Sequence, residues 1–399
     1  MNIFKSIYCR AFQFGFKLAM PFLPYRTPEI VGSTKEIYNI LEKENARSIL
    51  IVTDKGIRKA GLIDPLEQTL KNQGLSYTIY DKTVPNPTTK NIEEATKRYQ
   101  EKHCDAIIGF GGGSSMDCAK GVGIRVVRPD KPIGKLAGNL RVHKKLPLLI
   151  AVPTTAGTGS ETTLAAVITD DTTRHKYSIN DFNLIPDYAV LDPTVTVSLP
   201  PHITAETGMD ALTHAVEAYI GNSTTPATRG DALEAVRLIF GNLETAYKDG
   251  SNIKARRNML RASYFAGCAF TKSYVGYVHA VAHSLGGQYD VPHGLANATL
   301  LPFVLEAYGP CIYKKLKDLA IAAGIADKSV GDEEAALRFI NAIKEMKKCF
   351  GIGDTIPEIK EADIPGMAHY ADKEGNPLYP VPKLMDAKEL ETFYYQVME

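Results

Sequence analysis

The sequence predicts an α/β domain built on a parallel sheet, followed by an all-helical domain. Two observations carry this. In the first half, short β-branched runs alternate with helical periods, the pattern of a parallel sheet covered on both faces. From about Thr204 onward, long helical periods dominate and strand signals are few. Between them, Leu191-Asp-Pro193 closes the alternation and Leu199-Pro-Pro201 forms a turn cluster suited to a linker. The expected division is an N-terminal extension over 1–28, an α/β domain over 29–198 and a helical domain over 199–399.

The elements follow in order. Ser48 to Asp54 reads as a buried strand and Leu62 to Gln73 as a helix stopped by Gly74. Tyr77 to Tyr80 is a second strand. Thr88 to Lys102 is a helix entered through Pro85-Asn-Pro87. Asp105 to Phe110 is a third strand, followed by glycines and a helix from about Ser115. Leu148 to Val152 is a fourth. The later helical periods are Ala205–Ile220, Asp231–Leu243, Ile253–Cys268, Val278–Leu285 and Ala335–Phe350. A ligand is expected beyond the carboxyl ends of the parallel strands, in a cleft between the domains.

Composition narrows the function. With 399 residues, 44% hydrophobic and 23% charged, the chain has the make-up of a globular protein with large cores. A net charge of +1 implies no bulk attraction to nucleic acid. The six cysteines are scattered without a CxxC pair, which fits a reducing, cytoplasmic setting rather than a disulfide or zinc–cysteine framework. No apolar run reads as a membrane span. From Met1 to Pro28 there is no acidic residue, while Lys5, Arg10, Lys17 and Arg26 are basic. Phe4, Ile7, Tyr8, Ala11 and Phe12 recur at helical spacing, so a basic amphipathic helix is expected. It serves either as a packing arm or dimer contact, or as a peripheral membrane or encapsulation contact.

Four segments bear chemistry. Gly111-Gly-Gly-Ser-Ser-Met-Asp117 lies between a strand and a helix. Glycines admit close backbone approach, and a helix N-terminus offers N–H groups and positive dipole to a pyrophosphate. Pro153 to Glu161 supplies hydroxyls and glycines after another strand. Asp54 ends the first strand, where a carboxylate can accept from a ribose diol or simply cap a helix. The fourth segment set is the most specific. Asp210 and His214 lie four apart, so they share a helix face, and His279 and His283 repeat the spacing. His293 follows in Val291-Pro-His-Gly294, read as a turn. Imidazoles with a carboxylate suit iron, zinc or a similar divalent cation. There are five candidates for about four coordination places, which leaves one histidine for proton transfer.

These segments resemble the iron-containing alcohol dehydrogenase family, over about residues 30 to 399. The resemblance rests on Gly111–Asp117, Pro153–Thr158, Gly208–His214, Val278–Gly286 and Pro292–Gly294. It implies a Rossmann-like dinucleotide-binding domain within a dehydroquinate synthase-like architecture, and NAD with Fe2+ (Zn2+ as the alternative ion). The reaction it implies is hydride exchange with a small alcohol or aldehyde, in a homodimer or larger homo-oligomer. By motif, the metal ligands would be Asp210, His214, His279 and His293, with His283 relaying the alcohol proton. Asp54 and Asn86 would lie at the adenosine ribose, and Gly111, Gly112, Gly113, Ser114 and Asp117 at the pyrophosphate. Thr154, Thr155, Thr158 and Thr163 would run along the cofactor, with Lys176 near the nicotinamide ribose. Two departures stand out. Thr271-Lys-Ser-Tyr-Val275 replaces the family's usual segment near the substrate, and the basic extension is absent from compact members. The alternatives are a zinc-dependent relative of the glycerol dehydrogenase or dehydroquinate synthase kind, and a catalytically silent scaffold on the same fold.

Overall fold

A computed structural model of the chain describes residues 1–172 and 176–399. The chain divides into two compact units, one of Pro24–Leu199 with Gly250–Leu260, the other of Met1–Leu23, Pro200–Asp249 and Arg261–Glu399.

Among the described residues, the first unit holds nine strands: β1 (Glu29–Val31), β2 (Ser48–Val52), β3 (Ser76–Tyr80), β4 (Ala106–Gly111), β5 (Gly138–Asn139), β6 (Leu148–Pro153), β7 (Ala165–Thr169), β8 (Lys176–Asn180) and β9 (Tyr188–Val190). Six of them form a parallel sheet in the order β1-β9-β6-β4-β2-β3. Alternation sorts its side chains onto two faces. Leu50, Val52, Ile107 and Leu149 face one apolar core with Ile92, Ala119 and Val122. Ile49, Ile51, Ile108, Ile150 and Val152 face the other, with Ile37, Leu41, Leu66 and Leu70. Both faces are therefore dry, which is why these strands read as continuous apolar runs. Of the neighbours β2, β4 and β6, β2 ends at Val52 opposite Gly109, and β4 and β6 end opposite each other at Gly111 and Pro153.

The helix following Pro87 is set by Thr88, whose side chain accepts from Asn91 N while the Asn91 side chain accepts from the Thr88 backbone. A second, three-stranded sheet of β5, β8 and β7 was not apparent in the sequence. Its β7 and β8 pair antiparallel, with Thr169 opposite Lys176. Its strands are short and only partly buried, so they lack the apolar signature of the main sheet.

The helices are α1 (Ile3–Ala19), α2 (Ile37–Lys43), α3 (Lys55–Lys59), α4 (Asp64–Asn72), α5 (Thr89–Glu101), α6 (Gly113–Val127), α7 (Pro201–Ile220), α8 (Pro226–Lys248), α9 (Ile253–Ser273), α10 (Tyr277–Tyr289), α11 (His293–Tyr308), α12 (Tyr313–Ala322), α13 (Asp332–Cys349), α14 (Ile364–Gly375) and α15 (Ala387–Val397). In the helical unit α7 packs on α8 and α11, and α10 packs on α11 and α14. Two sequence expectations are corrected here. His293 opens α11 rather than lying in a turn. The corner is made just before it, by Asp290 at φ 56° and by Pro292, which caps the helix. Also, the stretch His293–Ala322 is long and apolar enough to cross a membrane by composition. Its most apolar window is 61% buried inside the fold, as expected of a core helix. The N-terminal helix α1 belongs to the helical unit.

Candidate active site

The helical unit brings Asp210, His214, His279 and His293 together, with one ligand atom of each within 4.8 Å of every other. Asp210 and His214 share a face of α7, His279 comes from α10 and His293 from the first turn of α11. The approach of α11 to α7 depends on Gly294. A Cβ there would lie 2.4 Å from the Glu206 carbonyl oxygen, so any larger residue would push His293 away from Asp210.

The distances fit a small divalent ion. Asp210 Oδ1 lies 3.4 Å from His293 Nε2, 3.8 Å from His279 Nε2 and 3.9 Å from His214 Nδ1. An ion with bonds of about 2.0–2.2 Å in tetrahedral array spaces its ligand atoms roughly 3.3–3.6 Å apart. The inward lone pairs converge on one donor, the Asn297 amide. Its Nδ2 lies 2.7 Å from Asp210 Oδ1, 3.0 Å from His293 Nε2 and 3.2 Å from His279 Nε2. Its Oδ1 is buried without a hydrogen bond among the described residues, so the amide is pinned by its nitrogen alone.

Burial depresses His279 well below the usual histidine range, and the neighbouring histidines push it the same way. Burial likewise takes His293 down to about 4 against the pull of Asp210. Both rings are thus neutral at pH 7, the form that coordinates a metal. Phe270 stacks on the His214 ring at 4.1 Å and 14°, fixing its plane.

A further carboxylate, Glu217, adjoins the cluster. It lies on the same helix face, seven residues beyond Asp210. It is buried and 2.6 Å from His279 Nδ1, while the backbone N–H groups of Gly276 and Val278 donate to it at 2.8 Å. A carboxylate accepting Nδ1–H leaves Nε2 with its lone pair toward the cluster. Burial pushes the Glu217 carboxyl up to about 7 against these donors. Glu217→Gln keeps an acceptor for the Val278 N–H but turns an amide NH2 toward both His279 Nδ1 and the Gly276 N–H. Metal affinity should fall about 10–100-fold, the usual loss on removing such an outer partner. Competition with a chelator of known affinity reads this directly, and an unchanged dissociation constant would reduce Glu217 to packing.

His283 lies beside the cluster and outside it. Its Nδ1 lies 2.6 Å from Glu374 Oε1, and its ring stacks on His293 at 5.1 Å. Tyr379 OH donates to the same Glu374 oxygen at 2.6 Å. Glu374 and Tyr379 carried no sequence signal, because they sit about ninety residues away along the chain.

In the α/β unit, most of the predicted cofactor residues gather at the ends of β2, β4 and β6. Gly111 has φ +153°, and a Cβ there would lie 2.5 Å from Ser115 Oγ. Gly112 caps α6 with no side chain over its first N–H groups, the arrangement an anion uses. Asn86 donates its N–H to Ser114 Oγ at 3.1 Å. Thr155 and Thr158 flank Gly112 and Gly113, and Thr154 donates its N–H to the Gly111 carbonyl.

Asp54 caps a helix, one of the two parts expected of it. Its Oδ1 caps α3 through Gly56 and Ile57, while Oδ2 reaches toward Ser115 Oγ at 3.5 Å. Asp117 and Thr163 point elsewhere. Asp117 accepts from Ser160 Oγ at 2.8 Å and from the Val167 N–H at 3.1 Å. Thr163 accepts from Lys120, whose ammonium also donates to Ser160 and Ala165. Lys120 is fully buried, which pulls it down to about 8 with Asp117 opposing. These three residues therefore brace the hydroxyl loop from behind. Lys176 opens β8 of the smaller sheet.

Comparison with known proteins defines the group. The family model described as iron-containing alcohol dehydrogenase matches residues 29–193. That of the Fe-containing alcohol dehydrogenase family, C-terminal, matches residues 204–398. The chain belongs to the iron-containing alcohol dehydrogenase family and is an oxidoreductase. It is 38% identical over 385 residues to a 1,3-propanediol dehydrogenase of Citrobacter freundii, covering 96% of this chain and 98% of that one. A solved 1,3-propanediol oxidoreductase superposes with a TM-score of 0.90 at 37% identity, over 94% of this chain and 99% of that one. The sulfoacetaldehyde reductase of Bifidobacterium kashiwanohense, solved with NAD+, superposes with a TM-score of 0.83 at 28% identity, over 94% and 98% of the two chains.

Proposed function

We propose that the protein transfers hydride between NAD(H) and a small primary alcohol or diol, or the matching aldehyde. The observation that carries this is the convergence of Asp210, His214, His279 and His293 within 4.8 Å. Ferrous iron is the ion proposed, zinc being accommodated by the same donors. Held there, it supplies Lewis-acid polarisation of the substrate oxygen. Asp210 brings negative charge, Glu217 orients His279, and Phe270 fixes the plane of the His214 ring. His283 stands one helical turn from His279, where it passes the alcohol proton outward. Gly111–Ser114, Asp54, Asn86 and the threonines at 154, 155 and 158 bind and orient the dinucleotide. A cytoplasmic setting is part of the proposal, supported by six free cysteines, and so is a homodimer or larger assembly, on the family resemblance.

The test is a panel of small aldehydes with NADH and protein reconstituted with iron or zinc. Turnover of short aldehydes that depends on the added ion supports the reading, and none on any member of the panel removes it. Cofactor choice is a separate prediction. Asp54 Oδ2 faces the glycine loop and repels a 2′-phosphate, so NADPH should be used roughly 100-fold less efficiently than NADH, equivalent to about 3 kcal/mol. Asp54→Gly should narrow that gap. Equal kcat/KM for the two coenzymes in the wild type would leave Asp54 as a helix cap only.

A further inference from the structure

The N-terminal helix α1 is inverted relative to an ordinary surface helix. The face turned to the protein carries Gln13 and Arg10 beside Cys9 and Phe16, while most of the large apolar side chains face solvent. Gln13 is buried and donates to the carbonyls of Pro377 and Tyr379 at 3.2 and 2.7 Å. Arg10 donates to the carbonyls of Val381 and Pro382 at 2.7 and 2.8 Å, and Lys5 pairs with Asp372 at 2.6 Å. Outward stand Ile3, Phe4, Ile7, Tyr8, Phe12, Phe14 and Leu18, with Phe22 just beyond the helix, all between 40% and 88% exposed. The stripe holds no charge, and the helix that bears it is anchored rather than loose.

An aromatic ring buries about 150–250 Å² when covered, so five rings and three aliphatic side chains at these exposures offer on the order of 1,000 Å² per chain. That exceeds the largest apolar patch of a typical monomer, about 300–600 Å². It also exceeds the roughly 800 Å² per partner of a standard interface. Two occupants fit such a surface, a lipid bilayer or a second protein, and the charges decide between them. A helix lying in a membrane interface uses its lysines and arginines to hold anionic headgroups. Here Lys5 and Arg10 are committed to Asp372 and to main-chain carbonyls, which leaves Lys17. An uncharged stripe rich in aromatic residues has instead the composition of an interface core, and it meets its own two-fold copy without like-charge opposition.

We propose that α1 is a self-association surface, pairing with α1 of a second copy of this chain across a two-fold axis. The proposal does not depend on the catalytic reading. The test is the mass of the full-length protein by light scattering during size exclusion, at tens of micromolar. Phe4→Glu/Phe14→Glu/Leu18→Glu should halve the mass of the wild-type assembly while metal content and turnover per chain stay unchanged. The milder Phe4→Ser/Phe14→Ser/Leu18→Ser variant should do the same, and it serves if the charged variant folds poorly. A monomeric wild type, or a mass the serine variant retains, overturns the proposal. So does flotation of the wild type, lost in the variants at constant mass, with vesicles of phosphatidylcholine and phosphatidylserine, since that assigns the stripe to lipid.

Discussion

Replacing His279 with alanine should strip the metal and abolish turnover while leaving NAD binding intact. His279 is the most enclosed of the three imidazoles in the cluster, 2% exposed, and it joins the two layers of the site. Its Nε2 faces Asp210 and its Nδ1 meets Glu217. Without the ring, three donors remain on one side, and the buried Glu217 carboxylate keeps only its backbone partners. Stabilisation of a developing oxyanion by a bound ion is worth several kcal/mol, so turnover should fall by about 10³-fold or more. The glycine and threonine loops belong to the other compact unit, so NAD affinity should change by less than about twofold. Elemental analysis after desalting gives the metal content, and equilibrium dialysis the coenzyme. A full complement of metal in this variant would show that the coordination sphere has been drawn around the wrong residues.

The parts of this structure that were legible in the sequence share a physical cause. Strands β2, β4 and β6 are buried on both faces, so their apolar runs have no polar interruption. The Asp210–His214 and His279–His283 pairs obey helical spacing, and that spacing is what places them on one face. What was missed depends on contacts remote in sequence or on close approach. Glu217 carried no sequence signal of its role, since that role needs α7 to meet the start of α10. Glu374 and Tyr379 reach His283 from the far C-terminal region. Asn297 follows His293 by four residues and could have been found by the spacing argument applied to the other pairs. The expected turn at His293 failed because Pro-His-Gly also suits a helix start, proline capping and glycine allowing α11 to touch α7. The direction of α1 was not legible either. A stripe at helical spacing is normally the buried one, and only the partners of Lys5, Arg10 and Gln13 show the reverse.

The second large effect is expected at His283, which separates proton transfer from metal binding. Its ring is 42% exposed on the solvent side, and its other side stacks on His293 and meets His279 edge-on. Burial draws its pKa down, but the Glu374 carboxylate more than offsets this, so the ring titrates above the ordinary histidine value. His283→Ala removes no ligand of the cluster, so metal and NAD should stay bound while the rate falls by about 10²–10⁴-fold, the range for one acid–base group. Glu374→Gln tests the same assignment without deleting the ring. Alcohol oxidation needs a neutral imidazole to receive the proton, so the rate rises as pH passes its pKa. With the carboxylate gone, burial prevails, the pKa falls, and that rise should move to lower pH. An unchanged rate and pH profile in His283→Ala would make the ring a packing residue against His293. Loss of metal in that variant would make it a fifth ligand instead. A rise that shifts to higher pH in Glu374→Gln would show that the carboxylate does not govern the titrating group.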